Sequence, residues 1–330
     1  MMTAGSRMVA LLLSMAWAVA GQQRLDVYFL AVGSEHYVEA PGRDVNSLPT
    51  IDGMIKSARA VAGVLDSGGS AFGIALVSGD RHFVSLRDID AALDVLNRRI
   101  RSDRPARPLL VFYFAGHGVS EGVAWNHFSL PGNFAFRGPL AALSIEGLAK
   151  ATLHASDLVD RLEKGGVPFI VVLDTCYEGK PESFRSPVLT GPAVESLRGT
   201  AAVLRYMNEF HDTGPVLFST NPGTTVAPVP DPRDPSPQVT GVAPLARRFL
   251  LIGERIHSTL KPLTLSQFLA CMGSQDFDPM TGPAVTHSQP PAQQGDVLLV
   301  PEVVGGKSTE ITGTANAPAL CCGASVLGGR

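Results

Sequence analysis

PLLVFYFAGHG, residues 108–118, is the stretch on which the fold turns. Its first seven residues are apolar throughout, with no polar alternation. A strand of that kind must be covered on both faces, and this is the condition of a central strand in a parallel sheet. The run ends at Gly116, His117 and Gly118, so that an imidazole stands between two glycines where the strand stops. A second run of the same character, VPFIVVLD (167–174), leads into Thr175 and Cys176.

Outward from these two runs, strand-like and helix-like segments alternate. LDVYFLAVG (25–33) and FGIALVSGD (72–80) read as strands before the 108–114 run. Between them Ile51, Met54, Ile55, Ala58, Val61, Ala62 and Leu65 recur at three and four residues, the face of an amphipathic helix. Leu86, Ile89, Leu93, Leu96 and Ile100 mark a second helix, opened by a capping pattern from Ser85 to Asp88. SDLVDRLEKGG (156–166) predicts a third, with Ser156 as N-cap and Gly165 as stop signal. GPVLFST (214–220) follows as a strand, then helices over 245–252 and 263–272, the latter with a capping box from Thr264 to Gln267, and GDVLLV (295–300) closes the series. The alternation predicts an α/β fold, a doubly wound sandwich with a mostly parallel central sheet of about six strands, and places active residues at the carboxyl ends of strands. Residues 222–240, rich in proline, read as an exposed loop, and 301–330 as a weakly structured tail.

The 330 residues, 45% hydrophobic, suffice for a sizeable core. A net charge of −3 with scattered arginines supplies no basic footprint, which disfavours nucleic acid as a partner. Arg7 precedes a predominantly apolar run of thirteen residues that ends in Ala18-Val19-Ala20, the pattern of a signal peptide over 1–20 with cleavage before Gly21. That run falls short of the ~20 residues of a spanning helix. The expected mature chain is secreted or periplasmic with no stable membrane insertion; an uncleaved anchor is the alternative. In an oxidising compartment Cys271, Cys321 and Cys322 are candidates for a disulfide, with the pairing open.

The chemistry gathers at the two strand ends. Neighbouring parallel strands would present His117 and Cys176 at one sheet edge. An imidazole within reach turns a thiol into a thiolate nucleophile and can later protonate a leaving amine. The flanking glycines let backbone approach a substrate and free N–H groups to hold an oxyanion. Histidines 36, 82, 127, 154, 211, 257 and 287 form no metal-ligand spacing and are expected at the surface, although His127 lies close in sequence to the loop after His117. Tyr113 and Phe112 read as core.

AGHG (115–118) after one apolar strand and DTCYEG (174–179) after the next resemble the caspase-like cysteine peptidases, the bacterial metacaspase-like members most closely. The separation from His117 to Cys176, 176 − 117 = 59 residues, agrees with the ~50 of caspases. NHFSLPGN (126–133), STNPGTT (219–225) and SQPPAQQGDVLLV (288–300) resemble further family segments, so that the likeness spans about residues 25–300, a peptidase domain over 21–300. It implies a cysteine-type endopeptidase acting on protein or peptide substrates, with Cys176 as nucleophile, His117 as general base and acid, and an oxyanion hole of the Gly118 and Cys176 backbone N–H groups. The family works as a dyad with the histidine oriented by backbone, so no third catalytic residue is implied. Asp174 matches the pocket position that favours Arg or Lys before the scissile bond. The family's second acid, at the opening of the first helix, is replaced here by Lys56 and Ser57, and Asp52, one helical turn earlier, is the candidate substitute. The alternative is a caspase-like binding or scaffold module with impaired catalysis. No cofactor is implied; calcium dependence enters through the resemblance alone, with no dense carboxylate cluster to predict a site.

Overall fold

The computed structural model describes residues 23–38, 45–78, 83–120, 127–137, 145–175, 215–219, 227–234, 236, 240–281, 284–287 and 297–300. The segment read as a signal peptide, residues 1–20, the tail 301–330, and Cys176, Cys321 and Cys322 lie outside these residues. In chain order the elements are β1 (Asp26–Gly33), β2 (Val45–Ser47), α1 (Met54–Ser67), β3 (Phe72–Val77), α2 (Leu86–Asp103), β4 (Pro108–Gly116), β5 (Gly118–Ser120), β6 (His127–Ser129) and β7 (Ala135–Arg137). There follow α3 (Ile145–Ala151), β8 (Leu153–His154), α4 (Ala155–Lys164), β9 (Phe169–Thr175), β10 (Val216–Phe218), α5 (Pro244–Thr259), β11 (Leu263–Thr264), α6 (Leu265–Gly273), β12 (Val285–His287) and β13 (Val297–Leu299).

Among the described residues the central sheet has the order β12-β10-β9-β4-β1-β3. Five of its strands run parallel and β12 lies antiparallel against β10. The protein is therefore an α/β fold with a mostly parallel central sheet. The apolar run of β4 explains its central place: Leu109, Val111, Tyr113 and Ala115 pack on one face with α1, α5 and α6, whereas Leu110, Phe112 and Phe114 pack on the other with α2 and α4. Each of the Leu, Val and Phe side chains among them contributes roughly 1.5–3 kcal/mol on leaving water. A third, smaller cluster around Phe128, Leu130 and Phe134 sits with the side sheet β5-β6-β8, beyond the end of β4.

Several boundaries differ from the sequence expectation for identifiable reasons. The capping boxes at Ser85–Asp88 and Thr264–Gln267 are both formed, and Gly165 closes α4. Ser156 is not the cap of α4, because β8 pairs with β6 up to His154 and the helix starts directly after it. α5 continues to Thr259, past Gly253 and the charges at 254–255. The closing strand β13 does not join the central sheet; it pairs antiparallel with β11, where Leu298 and Leu299 enter the core. The described part of 222–240 is anchored rather than loose: Asp231 is 2% exposed and takes Lys56 Nζ at 3.0 Å, and Pro230 O accepts from Arg247 Nη1. Cys271 is buried in α6. No helix among the described residues is long and apolar enough to cross a membrane.

Candidate active site

The ends of β4 and β9 define the candidate site. Their parallel register pairs Ala115 with Asp174 and Gly116 with Thr175, so the two strands stop side by side. The residues next in sequence are His117 and Cys176; the position of the thiol lies outside the described residues.

His117 is held at three points, all of them through backbone or a phenol. Its ring Nε2 lies 2.9 Å from the carbonyl oxygen of Pro49. A carbonyl only accepts, so Nε2 carries the proton of the neutral ring and Nδ1 keeps the lone pair of a base. Its backbone N–H donates to the Tyr37 hydroxyl at 2.9 Å, and its C=O accepts from Leu130 N–H at 2.9 Å. The Tyr37 ring also lies 5.0 Å from the imidazole. Burial pushes the His117 pKa below its ordinary 6.5, with the Pro49 bond opposing that shift. The ring is therefore neutral, and able to accept a proton, near pH 7. Gly116 is needed for this closeness, since a Cβ there would stand 3.0 Å from both Ser34 O and the Tyr37 hydroxyl. Gly118 is buried at the start of β5, paired with Ser129.

Asp174 is fully buried at the end of β9. Its Oδ2 accepts from the Tyr113 hydroxyl at 3.0 Å and from Ala246 N–H, in the first turn of α5, at 2.9 Å. α5 has no side-chain cap of its own, so this carboxylate serves its positive end. Oδ1 has no hydrogen-bond partner among the described residues. Burial pushes the carboxyl up to about 6, against the lowering effect of the Ala246 and Leu245 N–H groups and of the Tyr113 and Ser219 hydroxyls. Burial and then the Asp174 charge likewise raise Tyr113 well above its usual value. Ser57 extends the network: its hydroxyl donates to Gly53 O at 2.6 Å and accepts from Ala243 N–H, at the head of α5, at 2.8 Å.

Asp52 is exposed on the turn before α1 and makes no hydrogen bond or ion pair among the described residues, with Asp174 or any other group. The acid at the start of α1 is Glu35, whose Oε2 accepts from Gly53 and Ile55 N–H at 3.1 and 3.0 Å. His127, expected at the surface, is fully buried, its Nε2 2.7 Å from Thr175 Oγ1 and its ring against Phe218. Pro49, Tyr37, Glu35 and His127 were not identifiable as site residues from sequence; the three that act by backbone or from other loops carry no local motif, and His127 showed only its nearness to the His117 loop. No group of three carboxylate, imidazole or thiol side chains among the described residues is placed to hold a metal ion.

An α/β protein with an imidazole at one strand end and a cysteine next in sequence at its neighbour's is the class these observations define. No family model matches the chain, and no curated protein matches it. Among solved structures it is similar to a structural-genomics protein of Geobacter sulfurreducens, at 11% identity and a TM-score of 0.49, over 83% of this chain and 99% of that one. It is also similar to caspase-1 from Spodoptera frugiperda, at 11% identity and a TM-score of 0.40, over 81% of this chain and 88% of that one.

Proposed function

We propose that the chain is an exported caspase-like cysteine endopeptidase that acts through a Cys176–His117 dyad on protein or peptide substrates, cleaving after Arg or Lys. The observation that supports it is the β4–β9 register, which ends both strands together and hands the chain on to His117 and Cys176. In this reading Nδ1 of His117 takes the Cys176 proton, and the thiolate attacks the scissile carbonyl. The backbone N–H groups of Gly118 and Cys176 hold the oxyanion. The imidazolium then protonates the leaving amine, and water, deprotonated by the same ring, hydrolyses the thioester and frees the thiol. Pro49 O stabilises the imidazolium through the Nε2 bond and fixes the ring, the part that a side-chain acid takes in a triad.

Asp174 is the proposed recognition group for the basic side chain, because its buried Oδ1 meets no donor at hydrogen-bond distance among the described residues and a cation with N–H groups would supply one. Asp52, exposed before α1, is the second acid the reading enlists. The signal-peptide pattern at 1–20 supports export to the periplasm or medium.

The test is the mature chain on fluorogenic peptides ending in Arg, Lys or Asp, under reducing conditions, with and without calcium. Cleavage after Arg and Lys, and labelling of Cys176 by an electrophilic peptide, are expected. Absence of both refutes the reading. A second reading, a binding or scaffold module without catalysis, is favoured by one observation: Ser57 stands where the family carries an acid, and its hydroxyl is occupied by Gly53 and Ala243. Cys176→Ala separates the two, since a module keeps its cellular phenotype and a peptidase loses it.

A further inference from the structure

The buried imidazole of His127 has no part in the dyad chemistry, yet it touches the residue that precedes Cys176. His127 lies on β6, and β6 pairs with β5, the strand into which the chain runs from His117; the register sets Gly118 against Ser129 and Ser120 against His127. Leu130 N–H, one residue past β6, donates to the carbonyl of His117 itself. On its other side His127 Nε2 stands 2.7 Å from Thr175 Oγ1, and Thr175, 1% exposed, also offers its carbonyl to Ser219 Oγ at 3.1 Å. One short strand thus grips both catalytic strand ends: the first through its backbone, the second through an imidazole. Packing alone would not call for this pair. A buried imidazole and hydroxyl lose their water, which is costly unless they find each other, and an apolar pair of the same shape would fill the space without that cost.

We infer that His127 is a positioning residue: its contact with the Thr175 hydroxyl locks the end of β9 to the side sheet that carries on from His117, and so holds in place the residue that Cys176 follows in sequence. The inference rests on the dyad reading of the previous subsection. Nucleophile and base are useful only in near-attack geometry, and a displacement of ~1 Å can lower a rate about 100-fold.

The experiment compares wild type, Thr175→Val and Thr175→Ser. Valine keeps the shape and removes the hydroxyl; serine keeps the hydroxyl. Each is assayed for kcat and KM on the best peptide, for the rate of Cys176 alkylation by iodoacetamide read by mass spectrometry, and for Tm. We expect Thr175→Val to lower kcat and the alkylation rate together by about 10- to 100-fold, with KM within about twofold, and Thr175→Ser to restore both to within about threefold. Valine with wild-type kcat and alkylation, whatever its Tm, overturns the inference while leaving the dyad in place. Equal losses in valine and serine also overturn it, because the hydroxyl would then be irrelevant. A wild-type chain that neither cleaves nor alkylates faster than an ordinary thiol refutes the dyad reading itself, and the inference with it. His127→Gln is a second arm: an amide can still meet the Thr175 hydroxyl, and a kcat nearer wild type than that of His127→Leu is the expected order.

Discussion

Asp174→Asn isolates the fully buried carboxylate at the end of β9, and its consequence can be worked out in sign and size. In the folded chain the carboxyl titrates at about 6, raised from 3.8 by burial. Between those values the native state keeps a proton that the unfolded state has released, so stability falls as the pH rises. The stability that the protonated acid contributes is fully present below about pH 4 and is lost as the pH passes about 6. A difference of about 2 pH units at about 1.4 kcal/mol each comes to about 3 kcal/mol. Asparagine cannot titrate and removes that slope, whatever constant cost it adds through its contacts with Tyr113 and α5. Urea unfolding of wild type and variant at intervals from about pH 4 to 7.5 gives both curves, and titrations elsewhere, such as that of Asp231, cancel in the difference. The wild-type curve should drop relative to the variant by about 2.5 kcal/mol over this window, the rest of the loss falling below pH 4. Parallel curves, or a relative rise of the wild type with pH, refute the argument that burial dominates over the α5 dipole at this carboxylate.

Tyr37, Gly53 and Arg248 each carry a further expected outcome. Tyr37→Phe removes the hydroxyl that accepts from His117 N–H and lies 3.1 Å from Ser34 O; a stability loss on the order of 1–3 kcal/mol in urea unfolding and a lower kcat at nearly constant KM are expected. Gly53→Ala puts a side chain at φ 90°, with its Cβ 2.4 Å from Gly241 O, and should cost at least about 1–3 kcal/mol in thermal or urea unfolding. Arg248→Met leaves the carbonyls of Cys271, Met272, Ser274 and Thr281 without the fully buried guanidinium they share; more than about 3 kcal/mol of lost stability is expected. Arg248→Lys should recover only part of that loss, because an ammonium cannot reach so many planar acceptors at once.

What the sequence disclosed, and what it withheld, divides along a physical line. The parallel core was legible because β4 and β9 are apolar on both faces, and the helices because their apolar residues keep a 3.6-residue period with Ser85 and Thr264 at their heads. The short strands β2, β7, β5, β6 and β8 were not, because two or three residues set no period and their pairing depends on partners distant in the chain. β13 looked like a strand of the main sheet for a related reason: GDVLLV specifies an extended buried segment but not its neighbour, and β11 took it. At the site, His117 announced itself by its glycines. Pro49 could not, since its contribution is a carbonyl oxygen that every residue carries. Asp174 was visible as an acid at a strand end, whereas its double engagement with Tyr113 and α5 depends on α5 arriving some seventy residues later.

The supports of His117 also bear on why a histidine can be set in place here without an acidic partner. Pro49 O holds the ring and Tyr37 holds the backbone, and these come from two segments, 34–37 and 49–53, that Glu35 ties together. Its carbonyl accepts from Ile51 N–H at 3.1 Å, and its carboxylate accepts from Gly53 and Ile55 N–H at the head of α1. The Glu35 charge is thereby directed at a helix N-terminus, where it is favourable, and bears on His117 only through the geometry of these two segments. A carboxylate bonded to the ring itself would raise the imidazole pKa; a carbonyl on Nε2 orients it with a smaller effect, and burial prevails in the downward direction. The arrangement therefore fixes the tautomer with Nδ1 as the base and keeps that base unprotonated near pH 7. An acidic side chain on the ring would secure the first of these properties at the expense of the second.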